Sequence, residues 1–455
     1  MTSCAAPRAE RSATGTSMRR GACPSLAAPM QTGDGLLVRL RPAADGLTPA
    51  EMRALAGAAA TCGSGVIEVT ARGNLQIRGL TPESVPALAE AIGEAEIAIA
   101  EGVAIETPPL AGVDPEEIAD PRPLARALRM AIADEGEALR LAPKLSIVVD
   151  GGGRFHLGSL TADLRVRALG GKSGVRWLLS LGGTAQSASP VACLEAEAAV
   201  PVLLCILREL CARGPAARAR DLDAGLVRQR FSAGAALPRA DNDSPSPPPA
   251  GLHRFGDAGT VLGVGLAFAQ TDAGSLIAFV RQAEELGADA IRFAPGHGLF
   301  VLGLSGETAP IAQRLACSHG FLVAPDDPRN HIATCAGLAC ASARMDTKTA
   351  ARLLVEAAPD LLDGSATMHL SGCPKGCARP TASPLTLVGA PSGYALVVNG
   401  TASVAPSAYR DENGIRSALS ALNALVRENK DAGESALSCL TRLGTARIAA
   451  AFEQG

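Results

Sequence analysis

Aromatic side chains are scarce, with one Trp, two Tyr and nine Phe among 455 residues. Any core must therefore be built from Ala, Leu and Val. No long apolar run exists either: the longest, near 198–207, is about half of what a bilayer requires and contains Pro201. Residues 1–22 carry Arg8, Arg11, Arg19 and Arg20 without a continuous apolar stretch, so neither a secretory leader nor a membrane anchor is read there. A soluble, cytoplasmic chain is expected. A global basic field is missing too, since 42 cationic and 45 acidic side chains leave a net charge of -3; this argues against a nucleic-acid binder and makes any anion site local. Twelve cysteines in a chain of this kind are not expected to form disulfides, because the cytosol keeps thiols reduced. The question becomes which of them bind metal.

What is present is a large apolar fraction, 47%, with 19% charged residues, the composition of a packed multidomain chain. A Pro/Ser-rich linker over 236–250 separates two halves. Each half opens with strand, helix, strand, strand. Gly35-Leu-Leu-Val-Arg-Leu-Arg41, Val66–Val69 and Asn74–Leu80 correspond to Val261–Phe268, Ala290–Phe293 and Gly298–Leu304. Thr48-Pro49-Ala50-Glu51 is a helix start with a capping hydroxyl and a reciprocal Glu, and Asp272 and Gly287 bound the helix of the second copy. A single copy leaves an open sheet edge, so the two copies are expected to pair about a pseudo-twofold axis into one larger sheet, a fused ferredoxin-like pair. A larger mixed α/β segment follows each copy. The expected divisions are a disordered tail over 1–24, a half-domain over 25–105, an α+β domain over 106–235, the linker, a second half-domain over 251–325 and a second α+β domain over 326–455.

The copies differ along one strand, where Asn74, Gln76 and Arg78 share a face opposite Leu75 and Ile77. Their counterparts are Gly298, Phe300 and Leu302. The polar face either lines a binding cleft or is an ordinary solvated face. Gly151-Gly152-Gly153 likewise is either a close-approach turn for a ligand or a hairpin turn.

Four cysteines form two close pairs, Cys335-Ala-Gly-Leu-Ala-Cys340 and Cys373-Pro-Lys-Gly-Cys377. Four thiolates from two loops suit a tetrahedral metal or a cubane cluster. Spacings wider than zinc knuckles, with Gly337, Gly372 and Gly376 leaving room for bulk, favour an iron–sulfur cluster over structural zinc or reduced thiols. The other cysteines, Cys4, Cys23, Cys62, Cys193, Cys205, Cys211, Cys317 and Cys439, have no partner at ligand spacing and read mostly as small buried hydrophobes.

Ser371-Gly-Cys-Pro-Lys-Gly-Cys-Ala-Arg-Pro380, the first cysteine pair, the duplicated half-domain and Thr70-Ala-Arg-Gly-Asn-Leu-Gln76 resemble the nitrite and sulfite reductase superfamily, which binds a 4Fe-4S cluster beside sirohaem. The resemblance spans nearly the whole chain. Within it, Gly21–Gly35 and the Lys-Gly-Cys of the second pair are similar to the precorrin-3B synthases, oxygen-dependent monooxygenases of aerobic cobalamin biosynthesis. Two departures from the reductases stand out. The Cys335–Cys340 loop is one residue shorter, and the second lysine of the reductases' Lys-x-Lys segment is replaced in Lys144-Leu-Ser146.

The resemblance implies Cys335, Cys340, Cys373 and Cys377 as cluster ligands, and Arg72, Asn74, Gln76 and Lys144 as residues of the tetrapyrrole site, with Arg39, Arg41 and Arg78 as weaker additions. It implies precorrin-3A as substrate, molecular oxygen and reducing equivalents (NADH or a reductase) as co-substrates, and a separate mononuclear non-haem iron. None of the six histidines, His156, His253, His297, His319, His331 and His369, forms a readable iron motif; His369, just before the second cysteine loop, is placed to tune the cluster. No dinucleotide fingerprint is present. The alternatives are a sirohaem nitrite or sulfite reductase, a non-catalytic iron–sulfur electron carrier and a zinc-stabilised scaffold.

Overall fold

The computed structural model describes residues 24–43, 45–171, 174–232, 237, 246–256, 259–379 and 381–455. The N-terminal tail up to 23, Cys4 and Cys23, Pro380 and most of the 236–250 linker lie outside the described residues.

The helix Pro49–Cys62 begins as its sequence dictates: Glu51 N donates to Thr48 Oγ1 at 3.2 Å and Thr48 N donates back to Glu51 Oε2 at 2.6 Å. Its counterpart Ala273–Glu285 is capped by Asp272, whose Oδ1 accepts from Ser275 N at 2.8 Å. Both helices pack beneath antiparallel strands, and their apolar faces merge into one core that includes Leu55, Ile77, Phe279 and Val301. The first sheet runs Met30–Thr32, Gly35–Leu40, Leu75–Leu80, Val66–Val69 and then Gln270–Asp272; the second runs Gly251–Arg254, Thr260–Gly265, Gly298–Leu302 and Ala290–Ala294.

The expected single larger sheet is therefore two sheets that trade edges. Gln270–Asp272, from the second copy, pairs with Val66–Val69, and Leu47 of the first copy bridges Ile291 of the second. Each exchanged segment directly precedes a helix N-cap, Thr48 or Asp272, so the two exchanges are pseudo-symmetric. An open edge in each copy is closed by the other.

The duplication extends through the whole chain. Ala104–Glu106, Ser146–Asp150, Leu164–Gly171, Gly174–Leu181 and Ser189–Leu194 form a sheet in that order, and Ile332–Thr334, Met368–Ser371, Ser383–Ala390, Gly393–Gly400 and Ala408–Arg410 repeat it. In both, the first three strands are parallel, the fourth returns antiparallel to the third, and the fifth pairs antiparallel to the fourth. Each sheet covers its own helix-backed core. The sequence shows this less clearly because the loops after the parallel strands differ: cysteine loops in the second half, and in the first half a long loop after Glu106 and the glycine run after Asp150.

Gly151-Gly152-Gly153 is neither a ligand cradle nor a hairpin turn. It is pinned beneath residues 112–120, where Ile118 N donates to Gly151 O at 2.8 Å and a methyl on Gly151 would stand 2.0 Å from the Ala119 carbonyl oxygen. No helix among the described residues is long and apolar enough to cross a membrane. The ten described cysteines are all free thiols. Cys439 alone of the six outside the two close pairs is buried as expected; Cys62, Cys193, Cys205 and Cys211 are half-buried and Cys317 is exposed.

Candidate functional site

Parallel neighbours release their chains from the same end of a sheet, so loops that leave adjacent parallel strands meet. Ile332–Thr334 and Met368–Ser371 are such neighbours, with Thr334 opposite Leu370. The next residues are Cys335 and Gly372 with Cys373, and the two cysteine loops converge. Gly372 N donates to Cys335 Sγ at 3.1 Å, and Cys335 N donates to Leu370 O at 3.2 Å. Cys340 closes the first loop through its N–H to Gly337 O at 2.8 Å. Burial pushes the Cys377 thiol up, and Cys373, Cys335 and Cys340 add to the shift through space, so the other three cysteines lie within electrostatic reach of Cys377.

The four are not drawn onto one point. Among the described residues no three His, Cys, Asp or Glu side chains converge closely enough to hold a single metal ion. A zinc ion with Zn–S bonds of about 2.3 Å would need sulfurs about 3.8 Å apart, whereas a four-iron cluster spreads its ligands around a wider body. Three buried nitrogens beside these loops also lack partners: Nδ1 and Nε2 of His369, one of which carries a proton in the neutral ring, and Nε of Arg379. Orphaned donors beside four thiols carried on two adjoining loops suit an electron-rich, hydrogen-bond-accepting group, so the residues fit a 4Fe-4S cluster.

The first cysteine loop is docked on the first half-domain. Gly33 N and Arg78 Nη2 both donate to Ala339 O, at 2.9 and 2.8 Å. Arg78, 3% exposed, forks onto Asp34 at 3.0 and 3.1 Å and lies 3.5 Å from Glu68. Burial works against the Arg78 charge, but Glu68 and Asp34 hold its pKa above the ordinary value. Gln76 Nε2 donates to Glu68 at 2.7 Å, while its Oε1 accepts from Arg39 Nη2 at 2.6 Å. The polar face of strand Leu75–Leu80 is thus largely consumed by an internal network beneath the cysteine loop, neither freely solvated nor wholly given to a ligand. Its counterparts Phe300 and Leu302 are buried in an apolar cluster where Phe155, His253 and Phe300 pack edge to face with centroids 4.8–5.8 Å apart.

At the other end of the same strand face a cavity of about 760 Å³ opens. Arg72 and Asn74 line it, together with Arg41, Glu106, Arg129 and Arg292. Asn74 and Arg78 are four positions apart, about 13 Å at the usual rise. Arg72 Nε donates to Glu106 at 2.8 Å and its Nη1 to Thr161 O at 2.9 Å. Arg129 and Arg292 rest instead on backbone carbonyls, Ile105 O at 3.0 Å and Ala111 O at 2.9 Å, and burial lowers the pKa of both. Carbonyls orient a guanidinium without neutralising it, and the carboxylates that reach these two, Asp45 for both and Glu117 and Asp120 for Arg292, act only through space.

Of the four residues assigned to the tetrapyrrole site, Arg72 and Asn74 line this cavity. Gln76 lies along the strand within the Arg39–Glu68 network, and Lys144 stands exposed just beyond the wall formed by Leu139, Leu141, Ala142 and Pro143. Arg129, Arg292 and Glu106 were not singled out from sequence; nothing in their spacing marks them, because three separate segments bring them together. Lys348 is a further unsignalled residue. Its ammonium is buried, donates to Thr334 Oγ1 at 2.7 Å and to the carbonyl of Phe268, and burial pushes its pKa down to about 8. His297, at φ 67°, is held to Val69 O by its Nδ1 at 2.6 Å and joins the two half-domains rather than facing the cavity.

Comparison with known proteins agrees with this architecture. Residues 28–95 match the nitrite/sulfite reductase ferredoxin-like half domain. The structure of the Mycobacterium tuberculosis NirA protein superposes with a TM-score of 0.68 at 17% identity, over 91% of this chain and 84% of that one, which establishes a shared fold. A sulfite reductase [NADPH] hemoprotein beta-component from Xylella fastidiosa is 28% identical over 35% of this chain and 28% of its own length. A precorrin-3B synthase from Sinorhizobium sp. is 61% identical over 100% of this chain and 99% of its own length. A match of that depth across both halves, the cysteine loops and the cavity walls settles the matter of kinship: the chain belongs to the precorrin-3B synthase family.

Proposed function

We propose that this chain is a precorrin-3B synthase of cobalamin biosynthesis, converting precorrin-3A by hydroxylation at a ring carbon with closure of an acetate side chain to a γ-lactone. The observation that carries the reading is full-length identity of 61% to a precorrin-3B synthase, supported by an arginine-walled cavity at one end of the strand face whose other end holds the first cysteine loop.

Precorrin-3A is a metal-free tetrapyrrole edged with acetate and propionate carboxylates. The cavity combines apolar wall residues such as Ile105, Ile132 and Leu157 with guanidinium groups, the pairing such a ligand needs. In this reading Arg129 and Arg292 take peripheral carboxylates, Arg72, held by Glu106, fixes the orientation, and Asn74 contributes an amide. Cys335, Cys340, Cys373 and Cys377 hold a 4Fe-4S cluster, which when bound supplies single electrons. In the overall balance one oxygen atom of O₂ enters the product. The other leaves as water, with two electrons and two protons from the donor and two electrons from the substrate. No step is assigned to a mononuclear iron.

The test is to incubate the anaerobically reconstituted chain with precorrin-3A, a reductant and isotopically labelled dioxygen. A product heavier by one labelled oxygen atom, bearing a lactone, is expected; unchanged precorrin-3A, or turnover of sulfite or nitrite with a sirohaem absorption band, would overturn the reading.

A further inference from the structure

We propose that His369 and Arg379 are positioning residues for the cluster, donating N–H groups toward its sulfur atoms and thereby setting its reduction potential. This rests on the cluster assignment above.

The argument begins with strand alternation. Met368 and Leu370 face the helices and join their core, so His369 and Ser371 face the opposite side. That side of the sheet carries Val388, Ala390, Ala395 and Val397, a small apolar cluster roofed by Ala402 and the second cysteine loop. His369 lies against this loop. A methyl on Gly376 would stand 3.7 Å from His369 Cε1 and 3.2 Å from Ala402 Cβ, and Ser371 Oγ donates to Cys373 O at 2.7 Å. The imidazole is 1% exposed, and neither ring nitrogen has a partner among the described residues. Arg379, two residues past Cys377 and close enough to act on His369 electrostatically, has a buried Nε that is likewise unpartnered.

Two buried polar groups, one on the strand and one on the loop that follows it, are costly if they stay unsatisfied. Neither the imidazole nor Arg379 Nε reaches an acceptor among the described residues, whereas cluster sulfides and cysteine thiolates accept hydrogen bonds. An N–H directed at the cluster favours its more negative, reduced form and so raises the potential.

The experiment is an EPR-monitored redox titration of reconstituted wild type, His369→Leu, His369→Gln and Arg379→Met, with iron and sulfide content measured on each. With clusters intact, His369→Leu is expected to lower the reduced-to-oxidised ratio at fixed poise at least tenfold, about 59 mV for a one-electron couple, and His369→Gln, which restores an N–H, to lie between Leu and wild type. An intact cluster with an unmoved midpoint in His369→Leu overturns the proposal. Where His369→Leu takes up no cluster, Arg379→Met decides: a lowered midpoint supports the proposal and an unchanged one refutes it. A wild-type chain that takes up no cluster removes the underlying assignment instead, so the two failures are distinguishable.

Discussion

Arg78→Met is the most informative single change in the network beneath the cysteine loop. In the wild type the guanidinium is 3% exposed and serves three acceptors at once: Asp34, Glu68 and the carbonyl of Ala339. Methionine matches its stem but removes the charge, leaving Glu68, itself only 7% exposed, without its guanidinium partner and with the ammonium of Lys348 acting on it only through space. Loss of one partner of a buried ion pair costs about 3–5 kcal/mol. Asp34 keeps 27% of its side chain in water and can rehydrate, which places the expected cost near the lower end, about 3 kcal/mol. With a urea m-value of about 2 kcal/mol/M, the midpoint should fall by about 1.5 M. The refinement is a double-mutant cycle with Glu68→Gln. If the penalty is the orphaned carboxylate, Arg78→Met in the Glu68→Gln background costs at least about 1 kcal/mol less than in the wild type. Strict additivity would refute the reasoning, as would a midpoint unchanged by Arg78→Met alone.

Four further outcomes follow from the same structure. Gly33→Ala puts a methyl 2.8 Å from Ala341 N and 2.9 Å from Cys340 C, so it should lower iron and sulfide per chain while circular dichroism stays unchanged; wild-type cluster content would contradict the docking described. Phe300→Ala empties a fully buried position between Phe155 and His253 and should cost about 3–5 kcal/mol in denaturant unfolding. Burial raises the Glu117 carboxyl to about 7, helped by Asp120 and Asp114 and opposed by the N–H of Gly112, and its Oε1 is unpartnered. A raised carboxyl pKa means stability is full below the unfolded value and is lost as pH rises toward 7. Glu117→Gln should therefore stabilise at pH 8 and change little at pH 5; an equal gain at both would contradict it. Arg292→Gln, at the cavity wall, should raise KM for precorrin-3A at least tenfold with the cluster spectrum intact, and an unchanged KM would exclude that wall from the substrate site.

Much of the fold could be read from residue order because it is encoded locally. The Thr48 capping box, the strand repeats of the two half-domains and the Asp272 cap each depend on neighbouring residues, and each forms as its sequence indicates. The edge exchange could not be read. Gln270–Asp272 is a strand of three residues, too short for a periodic signal, and its partner is fixed by tertiary packing alone. The same distinction holds at the site. Paired cysteines at close spacing are visible in any linear reading, and adjacent parallel strands bring the pairs together. The cavity draws single residues from positions as distant as Arg41 and Arg292. Gln76 and Lys144 show the limit of transfer by motif: the strand position is kept, but the Gln76 amide is engaged by Arg39 and Glu68, and Lys144 falls one step outside the wall. The glycine run left a ligand turn and a hairpin turn open because glycine permits close approach; what approaches is the backbone of Ala119.

The measurement that bears most directly on the central claim is iron, acid-labile sulfide and zinc content with the visible spectrum, made on anaerobically purified wild type beside Cys373→Ala and Cys377→Ala. About four sulfides and at least about four irons per wild-type chain, with broad absorption near 400 nm that both substitutions abolish together with precorrin-3A turnover, is the predicted result. Zinc without sulfide in the wild type, or full turnover by either cysteine variant, would contradict it.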